Sequence, residues 1–86
     1  MPLSRIIEKL NKYTDRLERG KVSKIKASHV EKVIAKLEKR EASLLDQIET
    51  EKNQDQKRRL KKKLRVNRQQ VERARWLLKQ LSSGVN

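Results

Sequence analysis

The sequence predicts an all-α fold: a long antiparallel helical hairpin of coiled-coil type, with a short N-terminal helix packed on its open end. Three observations carry this expectation. Apolar residues recur at spacings of three and four along most of the chain, which is the periodicity of one helical face. Two glycines and one proline in 86 residues leave too few turn formers for an all-β fold. The apolar seams of the second and third helical segments also mirror each other about Gln54.

A single domain over residues 1–86 is expected, with the first helix over about residues 4–19. Leu3, Ile6, Ile7, Leu10, Tyr13 and Leu17 form its apolar face. Ser4 is placed to cap its start, and Gly20 follows the last periodic residue, where a left-handed stop costs least. Glu8 with Lys12 and Asp15 with Arg19 are opposite charges one helical turn apart. Residues 20–27 read as a connector whose Val22 and Ile25 tuck against the bundle. Ser28 and Glu31 then have the spacing of a capping box, opening a second helix over about 28–52, with an earlier start at Ser23 as the alternative. Residues 53–55, Asn-Gln-Asp, read as the turn, because Asn and Asp side chains compete for backbone hydrogen bonds. Asp55 could cap the third helix, expected over about 56–81, with a frayed tail over 82–86.

The mirror separates a hairpin from a continuous rod. Ile48 matches Leu60, Leu44 matches Leu64, Leu37 matches Val71 and Val30 matches Leu78. A rod would have to carry its seam across the polar stretch from Glu49 to Arg59, which breaks heptad register. The two polar seam positions, Glu41 and Asn67, also match, and are expected to face each other and fix the register. On one flank Glu31 should meet Arg75 and Glu38 should meet Arg68; on the other, Val33 meets Leu77, where the first helix docks. The tip beyond about Glu41 and Asn67 should project uncovered. The seam buries few large side chains, so marginal stability is expected, with self-association into a four-helix bundle as one remedy.

Composition narrows the function classes. Lys and Arg number 24 against 11 Asp and Glu, a formal net charge of +13. The chain has no Cys, so disulfides and Cys-based zinc sites are excluded. No apolar run approaches the ~18 residues of a membrane span, nor the ~7–15 of a signal peptide. A soluble, cytoplasmic protein with an attraction for polyanions is expected. No catalytic constellation is visible, and a non-enzyme without cofactor or metal is expected. His29 is the only histidine and reads as a solvated first-turn residue. Ser28, His29 and Glu31 share one helical turn and cannot converge as a triad. The acids near the turn lack calcium-loop spacing, and no glycine-rich phosphate loop is present.

The strongest functional signal is the run from Lys57 to Arg65, seven cations in nine residues with no acid. Its members repel one another at i,i+4, each like-charge pair costing ~0.2–0.5 kcal/mol, a cost that bound phosphates would relieve. The candidate nucleic-acid contacts are Arg58, Arg59, Lys62, Arg65 and Arg73, with Trp76 at the end of the same outer line. At ~1.5 Å per residue that line is roughly 27 Å long and could track several phosphates. Trp76 could stack on a base there or anchor under the first helix. Sequence-tolerant nucleic-acid binding is thus the leading expectation, RNA ahead of DNA because a short rigid basic helix suits folded RNA. The layout is similar to small basic helical hairpins among ribosomal proteins, an architectural likeness that carries no residues across.

Other readings compete. Asp46, Glu49 and Glu51 lie near Lys62, Arg59 and Lys57 in the mirror, so part of the run could be paired internally. A protein–protein adaptor or assembly subunit would use apolar residues such as Leu3, Ile6, Leu45 or Val66. The first helix sets Ile6, Ile7, Leu10 and Leu17 opposite Arg5, Lys9, Lys12 and Arg16, a pattern suited to an anionic membrane.

Overall fold

The computed structural model describes residues 3–82, apart from the side chains of Val22 and Ser82. The expected packing of Val22 and the tail beyond residue 82 lie outside the described residues. Three α-helices follow in order: α1 (Leu3–Glu18), α2 (Ala27–Thr50) and α3 (Gln54–Ser82), with a short 3-10 turn at Val22–Lys24 in the first connector. The described residues contain no strand. Helices α2 and α3 pack along their lengths as the expected hairpin, and α1 lies on α3. The molecule measures 51 × 18 × 17 Å, a rod one hairpin long and one bundle wide.

Helix α1 begins at Leu3, so Ser4 lies within its first turn rather than ahead of it as a cap. At the other end Gly20 has φ 73°, the left-handed conformation that glycine tolerates best. Two backbone bonds complete a Schellman stop, Lys21 N–H to Arg16 O at 2.7 Å and Gly20 N–H to Leu17 O at 3.1 Å. Arg16 then donates from Nη1 to Lys24 O at 3.2 Å and ties the connector back to α1. Of the two anticipated surface pairs on α1, Asp15–Arg19 forms at 3.3 Å. Glu8–Lys12 is not among the ion pairs of the described residues.

The start of α2 departs from the capping-box expectation. Lys26 is the N-cap, with φ −92° and ψ 125°, and no side chain caps the helix. Ser28 therefore sits inside the first turn. Apolar burial explains the choice: Ile25 immediately precedes the cap and Val30 lies four positions into the helix. Both belong to the buried core, the spacing of a hydrophobic staple. A start at Ser28 would shift both positions relative to the cap and forfeit that arrangement.

The hairpin turn comprises residues 51–53, two residues earlier than expected. Thr50 ends α2 by donating its hydroxyl to Asp46 O at 3.1 Å. Asn53 caps α3, with its Oδ1 accepting from Asp55 N–H at 2.9 Å and Gln56 N–H at 3.1 Å. Asp55 thus receives the cap instead of supplying it. As an acid in the first turn, it also complements the helix dipole. Glu51 steadies the turn, its Oε1 accepting from Asn53 N–H at 3.0 Å. No described non-glycine residue has positive φ, so the chain reverses without glycine.

The core runs between all three helices. Ile6, Leu10 and Tyr13 of α1 join Val30, Val33 and Leu37 of α2 and Val71, Ala74 and Leu77 of α3. The docking of α1 over Val33 and Leu77 is as the sequence predicts. Thr14 and Arg73 link α1 to α3, the guanidinium Nη2 donating to Thr14 Oγ1 at 3.3 Å. Leu3 shares a shallow depression with Arg59, Lys62, Lys63 and Val66, whereas Tyr13 lies beside His29, Lys32, Val33 and Lys36. So α1 runs parallel to α3 and antiparallel to α2. The hairpin tip extends beyond the start of α1.

The polar layer differs from the expected pairing of Glu41 with Asn67. Asn67 is fully buried and donates from Nδ2 to Leu37 O at 2.9 Å, while its Oδ1 has no hydrogen-bond partner. Glu41 turns instead to Arg68 at 3.6 Å, and Glu38 pairs with Arg75 at 2.9 Å. The expected Glu31–Arg75 and Glu38–Arg68 pairs are replaced by these two. An arginine is long enough to reach diagonally along a flank, so direct opposition does not decide its partner.

Candidate nucleic-acid interface

The outer face of α3 carries most of the anticipated line. Arg58, Arg59, Lys62 and Arg65 are all exposed. None of the four takes part in an ion pair or hydrogen bond among the described residues. The acids of the tip leave them alone: Asp46, Glu49 and Glu51 form no ion pair with the run among the described residues. Internal neutralisation of the run is therefore not what the structure holds. Arg59 and Lys62 flank the depression that contains Leu3, and Arg65 borders the groove between α2 and α3.

Arg73 does not join this line. It is half-buried and bonded to Thr14 of α1. The reason is helical phase. Arg73 lies one turn before Leu77, the fully buried residue that α1 covers, so it points to the same side. Trp76, by contrast, is 49% exposed, which places it outside the core rather than beneath α1. It precedes Leu77 by one residue, and the ~100° step per residue turns it outward onto the side of Arg58, Lys62 and Arg65. The outward stripe is Arg58, Lys62, Arg65 and Trp76, with Arg59, five turns before Leu77, exposed at the border with α1 beside Leu3.

A second cationic surface lies between α1 and α2. Two neighbouring depressions meet at Lys36: one contains Ile6, Lys39, Arg40 and Ser43, the other Lys9, Tyr13, His29, Lys32 and Val33. No carboxylate lines either. Sequence reasoning missed this surface because it depends on which sides of two helices meet. One signal was present: Lys32, Lys36, Lys39 and Arg40 recur at three and four, while Glu31, Glu38 and Glu49 fall on the far side of the same helix.

The groove between α2 and α3 is of mixed charge. Glu38, Glu41 and Glu72 share it with Lys61, Arg65, Arg68 and Arg75, around an apolar floor that includes Ile48 and Leu64. Leu45 stands at its edge, 42% exposed. Of the apolar residues expected to serve an adaptor, Ile6 is buried in the core and offers no surface. The apolar face of α1, whose pattern suits an anionic membrane, is likewise packed on the hairpin through Ile6, Leu10 and Tyr13. Among the described residues no helix is long and apolar enough to cross a membrane, and no group of three or more His, Cys, Asp or Glu is placed to hold a metal ion. No protein-family model, curated protein or solved structure matches this chain.

Proposed function

We propose that this protein is a non-enzymatic nucleic-acid-binding protein, favouring RNA over DNA, that grips phosphates from the outer face of α3 without reading base sequence. The observation that supports this reading is the exposed, unpaired state of Arg58, Arg59, Lys62 and Arg65. Exposed like charges on one helix destabilise it, and a phosphate backbone converts that repulsion into attraction while releasing counterions. Trp76 supports the same reading. An indole left half in water at the end of a cationic stripe is available to stack on a base, an interaction worth ~1–3 kcal/mol.

Changing Arg58, Arg59, Lys62 and Arg65 together to Gln tests the face. Fluorescence anisotropy of a labelled duplex should report weaker binding. On duplex DNA the slope of log K against log salt should be shallower by up to about 0.9 for each phosphate the variant no longer neutralises. Unchanged affinity and slope would remove the α3 face from the reading.

A second reading, a protein-binding or self-associating hairpin, is favoured by one observation, the exposure of Leu45 beside Ile48 and Leu64. It predicts binding that barely responds to salt and is abolished in Leu45→Lys.

A further inference from the structure

The two cationic surfaces lie on opposite sides of the molecule. Helices α1 and α2 both pack on α3, and a cleft between two helices that share a third faces away from it. The α1–α2 groove therefore opens away from α3, whose outer face carries Arg58, Lys62, Arg65 and Trp76. The bundle between them is 17–18 Å across at the level of the backbone. A single straight duplex lying on one side cannot also lie along the other.

We infer that the α1–α2 groove is a second phosphate-binding site, and that the protein bridges two RNA duplexes, one on each side. Lys9, Lys32, Lys36, Lys39 and Arg40 line this groove with no carboxylate among them. The α2–α3 groove shows no such segregation, since Glu38, Glu41 and Glu72 line it beside its cations. The same helix α2 sends Glu38 and Glu41 to the opposite flank, where each meets an arginine. The α2 cations advance by about 5–6 Å per turn along the axis, a regular row of point charges. A backbone of regularly repeating phosphates matches that row.

An acidic protein is the poorer match. Protein interfaces depend on buried aromatic and aliphatic anchors and are depleted in Lys. Here Tyr13 and Val33 belong to the core, Ile6 is 1% exposed, and the rim is lysine. Long lysine stems with mobile charges suit a phosphate surface that needs neutralising rather than a pocket that needs filling.

The inference rests on the nucleic-acid reading, and its test separates the two. Two short RNA duplexes are labelled with donor and acceptor dyes and mixed with the intact protein at ~50 mM salt, within the range where phosphate binding is strong. Energy transfer between duplexes should rise with protein, pass through a maximum, and fall in protein excess as each duplex acquires its own protein. Anisotropy in the same samples reports binding to a single duplex.

The triple variant Lys9→Gln, Lys32→Gln, Lys39→Gln should still bind one duplex but lose at least four-fifths of the energy transfer. Lysine-to-arginine changes at those three positions should keep it. The variant with Gln at Arg58, Arg59, Lys62 and Arg65 should also bind one duplex without bridging. Circular dichroism confirms that each variant is helical. One-to-one binding with no energy transfer in the unaltered protein would overturn the bridging inference, leaving the groove to a different partner and the nucleic-acid reading intact. Energy transfer that survives the groove substitutions would overturn it as well. No binding of either duplex would overturn the nucleic-acid reading and the inference with it.

Discussion

The two grooves that flank α2 are built from the same residue types to different ends. On the α3 side, Glu38 holds Arg75 at 2.9 Å and Glu41 holds Arg68 at 3.6 Å, so much of the charge is answered within the molecule. On the α1 side, Lys32, Lys39 and Arg40 line the groove with Lys9, and no acid is among its lining residues. The contrast shows that net charge is a poor guide to function until its placement is known. The pairs on the α3 side are exposed and add little to how α2 and α3 lie together. The proposed second site draws on the cations of the α1 side.

Loosening the packing that holds α1 to the hairpin is the most severe way to break the contrast. Leu10 is fully buried where α1 meets the hairpin. Leu10→Ala should cost about 2–5 kcal/mol through reduced burial and the cavity left behind. Thermal unfolding followed by circular dichroism should show a large drop in midpoint. A change of under ~1 kcal/mol would mean that α1 is not held to the hairpin as described.

Asn67 sharpens the comparison from the inside, since it lies between the grooves and belongs to neither. Its Nδ2 reaches Leu37 O, but its Oδ1 is buried without a partner. The Leu37 carbonyl is also in position to accept the ordinary helical bond from Glu41 N–H. Asn67→Leu removes the orphaned oxygen, and should stabilise the fold by on the order of 1 kcal/mol while leaving RNA affinity unchanged. Denaturant midpoints measure the first and anisotropy the second. Destabilisation would show that the bond to Leu37 outweighs the orphaned oxygen.

The smallest expected effect is on the paired side. Glu38→Gln with Glu41→Gln should change stability by under ~1 kcal/mol per pair, because both pairs are substantially exposed and screened. The same double variant should bind RNA more tightly, since it frees Arg68 and Arg75 and raises the net positive charge. A loss of several kcal/mol would contradict the view that these pairs are weak.

How far each of these features was legible in the sequence follows from the range of the forces involved. The hairpin, the seam and the docking of α1 over Val33 and Leu77 follow from apolar periodicity, which burial enforces over many residues at once. The helix ends were less legible, because competing local devices differ by about 1 kcal/mol. Ser28 has the right spacing for a capping box, yet the core placement of Ile25 and Val30 sets the cap two residues earlier, at Lys26. The same competition gave the cap of α3 to Asn53 rather than Asp55. Polar partners were least legible. Asn67 reaches a backbone carbonyl, which no side-chain pattern displays, and the arginines choose diagonal partners. Four of the five anticipated basic residues keep exposed positions, whereas Arg73 shares its face with Leu77 and so turns to α1. The α1–α2 groove is a property of two helices meeting and is invisible to any one-helix reading.

The central claim is that the exposed cations of this protein bind nucleic-acid phosphates. Trp76, the sole tryptophan, stands 49% exposed on the α3 face and reports on it directly. The decisive measurement titrates a short RNA duplex and a short DNA duplex into the protein and follows Trp76 emission at ~50 and ~200 mM salt, where phosphate-driven binding changes steeply. The account predicts saturable quenching, tighter for RNA, with affinity falling by orders of magnitude at the higher salt. No binding of either duplex at the lower salt would contradict it.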